Sequence, residues 1–372
     1  MYLSLLKVSG FRNLDGLRFQ PGPRFNCISG DNGSGKSSLL EALYVLGTGK
    51  SYRVAQHRPL IHIQAERFSL YGELQPSGYA IGMERSRQSD SHIVVNGDRV
   101  HSASQLAAIM PVQALTLDDF QLFEGGPRVR RRFLDWGVFH VEQQGSGPVF
   151  RRFERAVKQR NSGLKSGKIS ASERQAWTHE FLRVSGQLHE LRTAYTETLL
   201  KEFRQLCERS DTLAFGRELG IQYSPGWDSR LTLEEALSRP GIQERERRTG
   251  ITQVGPHRAD LRMLWEGMPA RDVLSRGQMK VLGHCLKLAQ IRCLAQRENT
   301  TLPIILMDDL AAELDQAHLT EMLRLIDSFD TQVFMTVLAA DQLPAPGLWS
   351  AHDDPRWFAV EAGRVHPYRL QE

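Results

Sequence analysis

The chain is short of everything that would mark a secreted, membrane-spanning or metal-centred protein. Only four cysteines occur, Cys27, Cys207, Cys285 and Cys293, and no two form a CxxC pair. Neither a disulfide framework nor a thiolate metal site is therefore expected, and reduced thiols in a cytoplasmic protein are the simplest reading. No apolar run approaches the ~18 residues a membrane span needs, and Met1 to Leu6 is too short for a secretory signal. No repeat or low-complexity segment occurs, and no heptad is sustained far enough for an extended coiled coil. Net charge is small at +4. That is compatible with a nucleic-acid partner without demanding one, so the placement of charge matters more than its sum. The 372 residues, 41% hydrophobic and 24% charged, suit an ordinary globular protein of two lobes.

What the chain does contain is a phosphate-binding loop. Gly30-Asp31-Asn32-Gly33-Ser34-Gly35-Lys36-Ser37 matches GxxxxGK[ST] in full, with Ser38 following. Glycines at 30, 33 and 35 let backbone N–H groups curl around phosphate oxygens without Cβ clashes. Lys36 brings a mobile positive charge for the terminal phosphates, and Ser37 a hydroxyl ligand for Mg²⁺. The local context agrees. Arg24 to Ile28 reads as the feeding strand, and a helix from Lys36 to about Leu46 points its positive end at the same anion. A glycine-rich turn can match this pattern by chance, but without that context.

A second carboxylate site follows much later. Pro303-Ile-Ile-Leu-Met-Asp308-Asp309 reads as a buried strand ending in two acids, the Walker B arrangement, at the end of a parallel strand where ligands of α/β sheets collect. There Asp308 holds Mg²⁺ opposite Ser37, and Asp309 orients or deprotonates an attacking water. Most of the chain separates Lys36 from Asp308, so a second lobe is inserted between the halves of one site. The reading is an α/β lobe over 1–118 and 249–372, and an inserted lobe over 119–248.

Within these bounds Tyr2 to Val8 and Leu14 to Phe19 are expected strands that meet the strand before the phosphate loop. Phe68 to Val100, with Asn96-Gly97 between alternating runs, predicts an antiparallel β layer with a hairpin. A helical, basic region runs from Gly125 to about Arg248. Within it Ser170 to Glu173 has capping-box spacing, and apolar residues at helical intervals predict a helix to Arg209, unless Gly186 bends it. Ile251 to Arg258 is expected as a strand entering a Gly-Pro turn. Leu274 opens a helix, Gln332 to Thr336 is a core strand, and Trp357 to Tyr368 is a closing hairpin.

Leu274-Ser-Arg-Gly-Gln278 resembles the ATP-binding-cassette signature LSGGQ, with Arg276 in place of a glycine. A serine at a helix N-terminus is an anion site with no phosphate of its own, although an ordinary Ser-Gly helix start has the same residues. Together with GDNGSGKSSLLEAL, GKSYR, GGPRVRRRFLDWGVFH, VGPHRADL and MDDLAAELD, it resembles the RecF family of bacterial recombination and gap-repair ATPases. That family is similar to structural-maintenance-of-chromosomes heads without their long coiled coil.

The resemblance implies an ABC-type ATPase lobe with an inserted, mainly helical lobe. It implies ATP and Mg²⁺ as ligands and an ATP-dependent homodimer that clamps DNA and is reset by slow hydrolysis. It further implies DNA at single-stranded gaps, and RecR and RecO as partners in loading RecA. On this chain it assigns phosphate and Mg²⁺ binding to Lys36 and Ser37, Mg²⁺ to Asp308 and water activation to Asp309. Ser275, Gly277 and Gln278 would reach across the dimer, and Asp315 would belong to the loop joining the two sites. The chain departs from the family pattern in places. Ala259 and Ala312 stand where acidic and hydroxyl residues are usual, Thr336 occupies the switch position held by histidine in transporters, and Gln113 is a weak match to the lid glutamine.

Two arginine clusters remain, Arg128, Arg130, Arg131 and Arg132, then Arg151, Arg152, Arg155, Lys158 and Arg160. Such density suits phosphate-backbone contact with duplex or junction DNA, and Arg131, Arg132, Arg152 and Arg155 are the candidates. Helical salt bridges or a solvated face would account for the same residues. Arg12 and Arg53 could reach a nucleotide. The readings left open are a membrane transporter's ATPase subunit, without anchors of its own, and a nucleotide switch in which turnover has no role.

Overall fold

The computed structural model describes residues 1–88, 91–100, 102–166, 170–298, 300–310, 313–339, 343 and 355–368. The chain packs as two compact units, Met1–Asp119 with Ala295–Glu372, and Phe120–Leu294. The first opens with β1 (Tyr2–Ser9), β2 (Leu17–Phe19), β3 (Phe25–Ser29) and α1 (Lys36–Thr48). It continues through β4 (Arg67–Gln75), β5 (Ala80–Ser86), β6 (Ser91–Val95), β7 (Asp98–Arg99), α2 (Ala103–Ile109) and β8 (Val112–Leu115). The second unit holds α3 (Gln121–Glu124), α4 (Pro127–Val141), α5 (Gln143–Ser166), α6 (Ala171–Glu208) and β9 (Leu219–Ser224). It ends with α7 (Leu233–Ser238), α8 (Pro240–Thr249), β10 (Asp260–Trp265), β11 (Met268–Pro269) and α9 (Arg276–Ala295). The chain then returns to the first unit as β12 (Ile304–Met307), α10 (Gln316–Asp327), β13 (Val333–Val337), β14 (Arg356–Glu361) and β15 (Arg364–Tyr368).

Two six-stranded sheets build the first unit, in the orders β2-β1-β4-β5-β6-β7 and β15-β14-β3-β13-β12-β8. In the second sheet β14, β3, β13, β12 and β8 run parallel and β15 closes the edge antiparallel. Every residue of β12 and β13 is buried, as expected of parallel strands covered on both faces. Leu39, Leu40, Leu43 and Leu46 of α1 share one core with Leu6, Phe68 and Leu70 of the antiparallel sheet and Ile28, Leu306 and Phe334 of the parallel one. The helix after the phosphate loop is thus a core helix, apolar around most of its circumference.

The hairpin expected at Asn96-Gly97 is present, with φ of 51° and 89°, the positive values a two-residue type I′ turn demands. Two expectations about strands change. β2 pairs with β1, which pairs with β4; neither meets β3, because the chain changes sheets between Phe19 and Phe25. Residues 251–258 form no strand. Their backbone donors are taken by side chains instead, Thr252 N by Asn161 Oδ1 and Gln253 N by Glu246 Oε1.

In the second unit α6 is continuous over 38 residues, capped at its start by reciprocal bonds between Ser170 and Glu173. A three-stranded sheet, β11-β10-β9, interrupts the helices. The sequence reading ends this lobe at 248, whereas here it extends to Leu294, because α9 packs with its helices. Gln290 Nε2 donates to Phe133 O and Tyr195 Oη, and Arg292 pairs with the fully buried Glu202. The four cysteines are free and buried. Among the described residues no helix is long and apolar enough to cross a membrane.

Two glycines of this unit respond oppositely to alanine. A Cβ at Gly137 would strike the buried ring of Tyr195, whereas one at Gly186 meets nothing within 4 Å. Gly137→Ala is expected to destabilise by about 1–3 kcal/mol through overpacking. Gly186→Ala, in the interior of α6, should stabilise by about 0.5–1 kcal/mol. Urea-unfolding midpoints moving in opposite directions would confirm both.

Candidate active site

β3 delivers the chain to the phosphate loop at Gly30, whose φ is 149° and whose missing Cβ leaves room for the Val360 carbonyl of neighbouring β14. Gly33, at φ 81°, turns the loop through the left-handed region that glycine enters freely. Ser34 N closes the turn on Asp31 O, and Gly363 N, from the β14–β15 turn, donates to Ser34 O at 2.8 Å. The closing hairpin therefore braces the loop from behind. Lys36 is only 4% exposed, and its ammonium donates to Gly30 O at 2.6 Å and Asp31 O at 3.1 Å.

Folding joins this loop to the distant acidic pair. Ser37 Oγ donates to Asp308 Oδ1 at 2.9 Å, since β12 ends one strand beyond β13 in the order β3-β13-β12. Thr336 of β13 lies between them. Its hydroxyl accepts Asp309 N at 2.8 Å and has its proton within reach of Asp308 Oδ1 at 3.1 Å. Tyr52 Oη donates to Asp308 Oδ2 at 3.2 Å. Burial raises the Asp308 carboxyl above its ordinary range; the Ser37 bond pulls it down and the charge of Asp309 pushes it up. Burial, with the nearby Asp308 charge, raises the Tyr52 phenol well above 10, so it remains a donor at neutral pH. Asp309 sits at φ 54°, a left-handed conformation uncommon for a residue with a side chain.

A groove of about 470 Å³ opens over these groups, lined among others by Arg12, Asn13, Lys36, Ser38, Arg53 and Asp309. The oxygens of Ser37 and Asp308 fit Mg²⁺, which accepts one or two protein oxygens and completes its shell from phosphate and water. Among the described residues no group of three or more His, Cys, Asp or Glu could hold a metal ion.

The phosphate-loop residues, Asp308 and Asp309 thus come together in the first unit. Ser275, Gly277 and Gln278 belong to the second, where they form the exposed start of α9. Ser275 N donates to Gln278 Oε1 at 2.9 Å and Gln278 N to Ser275 Oγ at 3.2 Å, a reciprocal cap. Asp315 caps α10 by accepting His318 N at 2.9 Å; Ala311 and Ala312 lie outside the described residues. Gln113 is buried within β8, beside β12.

The arginines separate by role. Arg130 pairs with Asp260, Arg131 Nη1 donates to Ala259 O, and Arg160 pairs with the buried Glu246. Arg132, Arg152 and Arg155 are exposed. Two residues that the sequence reading passed over also belong to the site. One is Tyr52; the other is Glu41, a fully buried carboxylate on α1 bonded by Arg12 and Ser51. A lone acid among Leu39, Leu40, Ala42 and Leu43 was the available signal.

Residues 2–345 match the family described as RecF/RecN/SMC N terminal domain. The DNA replication and repair protein RecF of Pseudomonas fluorescens is 38% identical over 368 residues, 98% of each chain. The RecF of Pseudomonas syringae pv. syringae is 37% identical over 368 residues, again 98% of each. Among solved structures, the recombination mediator protein RecF-ATP in the RecFOR pathway aligns with a TM-score of 0.83 at 23% identity, over 99% of this chain and 98% of that one. An Smc head bound to the C-winged helix domain of ScpA aligns with a TM-score of 0.55 at 16% identity, over 100% and 98%. These two structural likenesses show the fold, a mixed α/β lobe of the kind found in RecF and Smc heads, carrying a mainly helical insertion.

Tyr52→Phe removes a donor from a buried carboxylate while keeping the ring against Tyr44. The expected loss is about 1.5–3 kcal/mol, the size of a hydrogen bond to a charged group. Urea unfolding of the nucleotide-free protein checks it, and an unchanged midpoint would show that water replaces the phenol.

Proposed function

The chain belongs to the RecF/RecN/SMC family, and from that premise we propose that it is an ATP-dependent DNA-binding protein of replication and recombinational repair. ATP binding closes two copies on DNA, and hydrolysis releases them. In this reading it serves single-stranded gaps together with RecO and RecR, which load RecA. The observation that carries the nucleotide part is the Ser37–Asp308 bond, which unites the phosphate loop with the acid at the end of β12.

Each residue then has one task. The loop amides and the N-terminus of α1 receive the phosphate chain. Lys36 leaves the Gly30 and Asp31 carbonyls for the terminal phosphates. Ser37 and Asp308 would hold Mg²⁺, which supplies neutralisation of the charge that builds on the transferred phosphoryl group. Asp309 orients the attacking water and takes its proton, its backbone fixed by Thr336. The exposed cap at Ser275 faces a second copy, so a C₂ pair has two equivalent composite sites.

Sedimentation with ATP tests the composite site. Wild-type protein dimerises with ATP, and Lys36→Ala neither binds ATP tightly nor dimerises. Asp309→Asn binds ATP and accumulates as the dimer because the reset is lost. Ser275→Arg binds ATP yet stays monomeric. A normal ATP-induced dimer of Ser275→Arg would reduce that segment to a helix start, and normal ATP affinity in Lys36→Ala would remove the nucleotide site.

DNA contact is assigned to the exposed arginines. On α5, Arg151, Arg152, Arg155 and Lys158 are all exposed while Phe153 and Ala156 face inward, which places the four cations along one outward stripe. Replacing Arg152 and Arg155 by Gln should weaken binding to all DNA sequences alike. The slope of log affinity against log salt should fall by roughly 1.8 if each contacts one phosphate. An unchanged slope in a folded variant would make them solvated surface charges.

A further inference from the structure

Glu41 is the one acidic side chain of α1, and its burial is complete. An isolated carboxylate in such a place is strongly disfavoured, and three residues from two segments converge on it. Arg12 donates from Nε at 2.9 Å and Nη2 at 3.0 Å, a two-pronged pairing. Ser51 Oγ donates to Oε1, and Arg53 Nη1 lies 3.7 Å from Oε2. Ser51 has a single hydroxyl proton, which goes to Glu41, and its oxygen accepts Arg53 N at 2.9 Å and Val54 N at 3.0 Å. The backbone at Arg53 is therefore set by a hydroxyl that Glu41 itself orients. Arg12 stands at φ 55°, a conformation a side-chain-bearing residue rarely adopts unless its surroundings impose it.

Both arginines line the groove over the phosphate loop. One carboxylate against two guanidinium groups leaves this cluster with an excess positive charge, on a groove that Lys36, Asp31 and Asp309 also line, and the pairing occupies only Nε and Nη2 of Arg12. We propose that Glu41 is a positioning residue for nucleotide recognition. By clamping Arg12 and keeping Arg53 at ion-pair distance before a ligand arrives, it holds two guanidinium groups beside the phosphate chain of an incoming nucleotide. The side chain of Arg12 is 22% exposed and stays clamped, whereas that of Arg53 is 45% exposed and more loosely held, free to turn onto a phosphate. Ordering these long side chains in advance removes an entropic penalty from binding. This proposal rests on the nucleotide-binding reading above.

The test is calorimetric titration of the full chain with ATP and with ADP, each variant first shown to melt cooperatively. Glu41→Gln should weaken ATP binding about 10-fold, the size of one charge-assisted hydrogen bond. Arg12→Ala and Arg53→Ala should each weaken it alone. Added to Glu41→Gln, either should change affinity by less than about 2-fold, because Glu41 acts only through them. Glu41→Asp, which keeps the charge, should recover part of the loss. If Glu41→Gln fails to fold, the doubly neutral Arg12→Gln/Glu41→Gln variant leaves no unpaired buried charge and should show the same loss. Wild-type affinity in either variant, or full additivity with both arginine changes, would overturn the proposal. Wild-type protein that binds no ATP, or Lys36→Ala that binds it normally, would overturn the nucleotide reading and this inference with it.

Discussion

Burial of α1 between two sheets is the constraint on which the site depends. The helix packs against the antiparallel sheet and against the parallel sheet, and its leucines belong to the one core that the two sheets share. Its N-terminus is consequently held at the end of β3, and the phosphate loop has little freedom to relax. With ~1.5–3 kcal/mol for each fully buried leucine, the packing far outweighs the strain of a few left-handed residues. Asp309 and Arg12 can sit at positive φ because the surrounding structure holds them there.

The same burial shapes the electrostatics. Asp308 and Glu41 are carboxylates withdrawn from water, and they are satisfied in different ways. Asp308 is surrounded by hydroxyls, from Ser37, Thr336 and Tyr52, all neutral. Among the described residues no cation pairs with it, a favourable setting for a divalent ion. Glu41 is matched by guanidinium groups and a hydroxyl. One acid is thus prepared for a cation and the other holds cations prepared for an anion.

Four arginines of the second unit are structural residues. Arg130, Arg160, Arg192 and Arg292 each pair with an acid from another element. Breaking any of them would leave a poorly solvated charge, a loss of order 3–5 kcal/mol when the pair is buried. Only the arginines that face away from these partners, as on α5, are available to a phosphate backbone. Density of arginine in the sequence therefore overstates the surface that a nucleic acid could meet.

Much of this was legible in the sequence because it is local. The loop Gly30–Ser37, the cap at Ser170 and the turn at Asn96-Gly97 are set by backbone sterics and hydrogen bonds spanning a few residues, and the structure has all three. An apolar run ending in Asp308 was enough to place a buried strand. What sequence could not supply were choices between distant partners of similar local character. Leu17–Phe19 could pair with β1 or β3, and only the sheet assembly decided; Thr252 and Gln253 took side-chain partners where their composition suggested a strand. The extent of the second unit depended on which helices α9 packs with, a matter of long-range burial. Glu41 and Tyr52 carry no motif, and their roles exist only because folding brings Arg12, Ser51 and Asp308 within hydrogen-bond reach. The sequence by itself determined that there is a phosphate loop and an acid to complete it. Tertiary structure decided which neighbours hold them, because a buried charge takes its partner from wherever the chain returns.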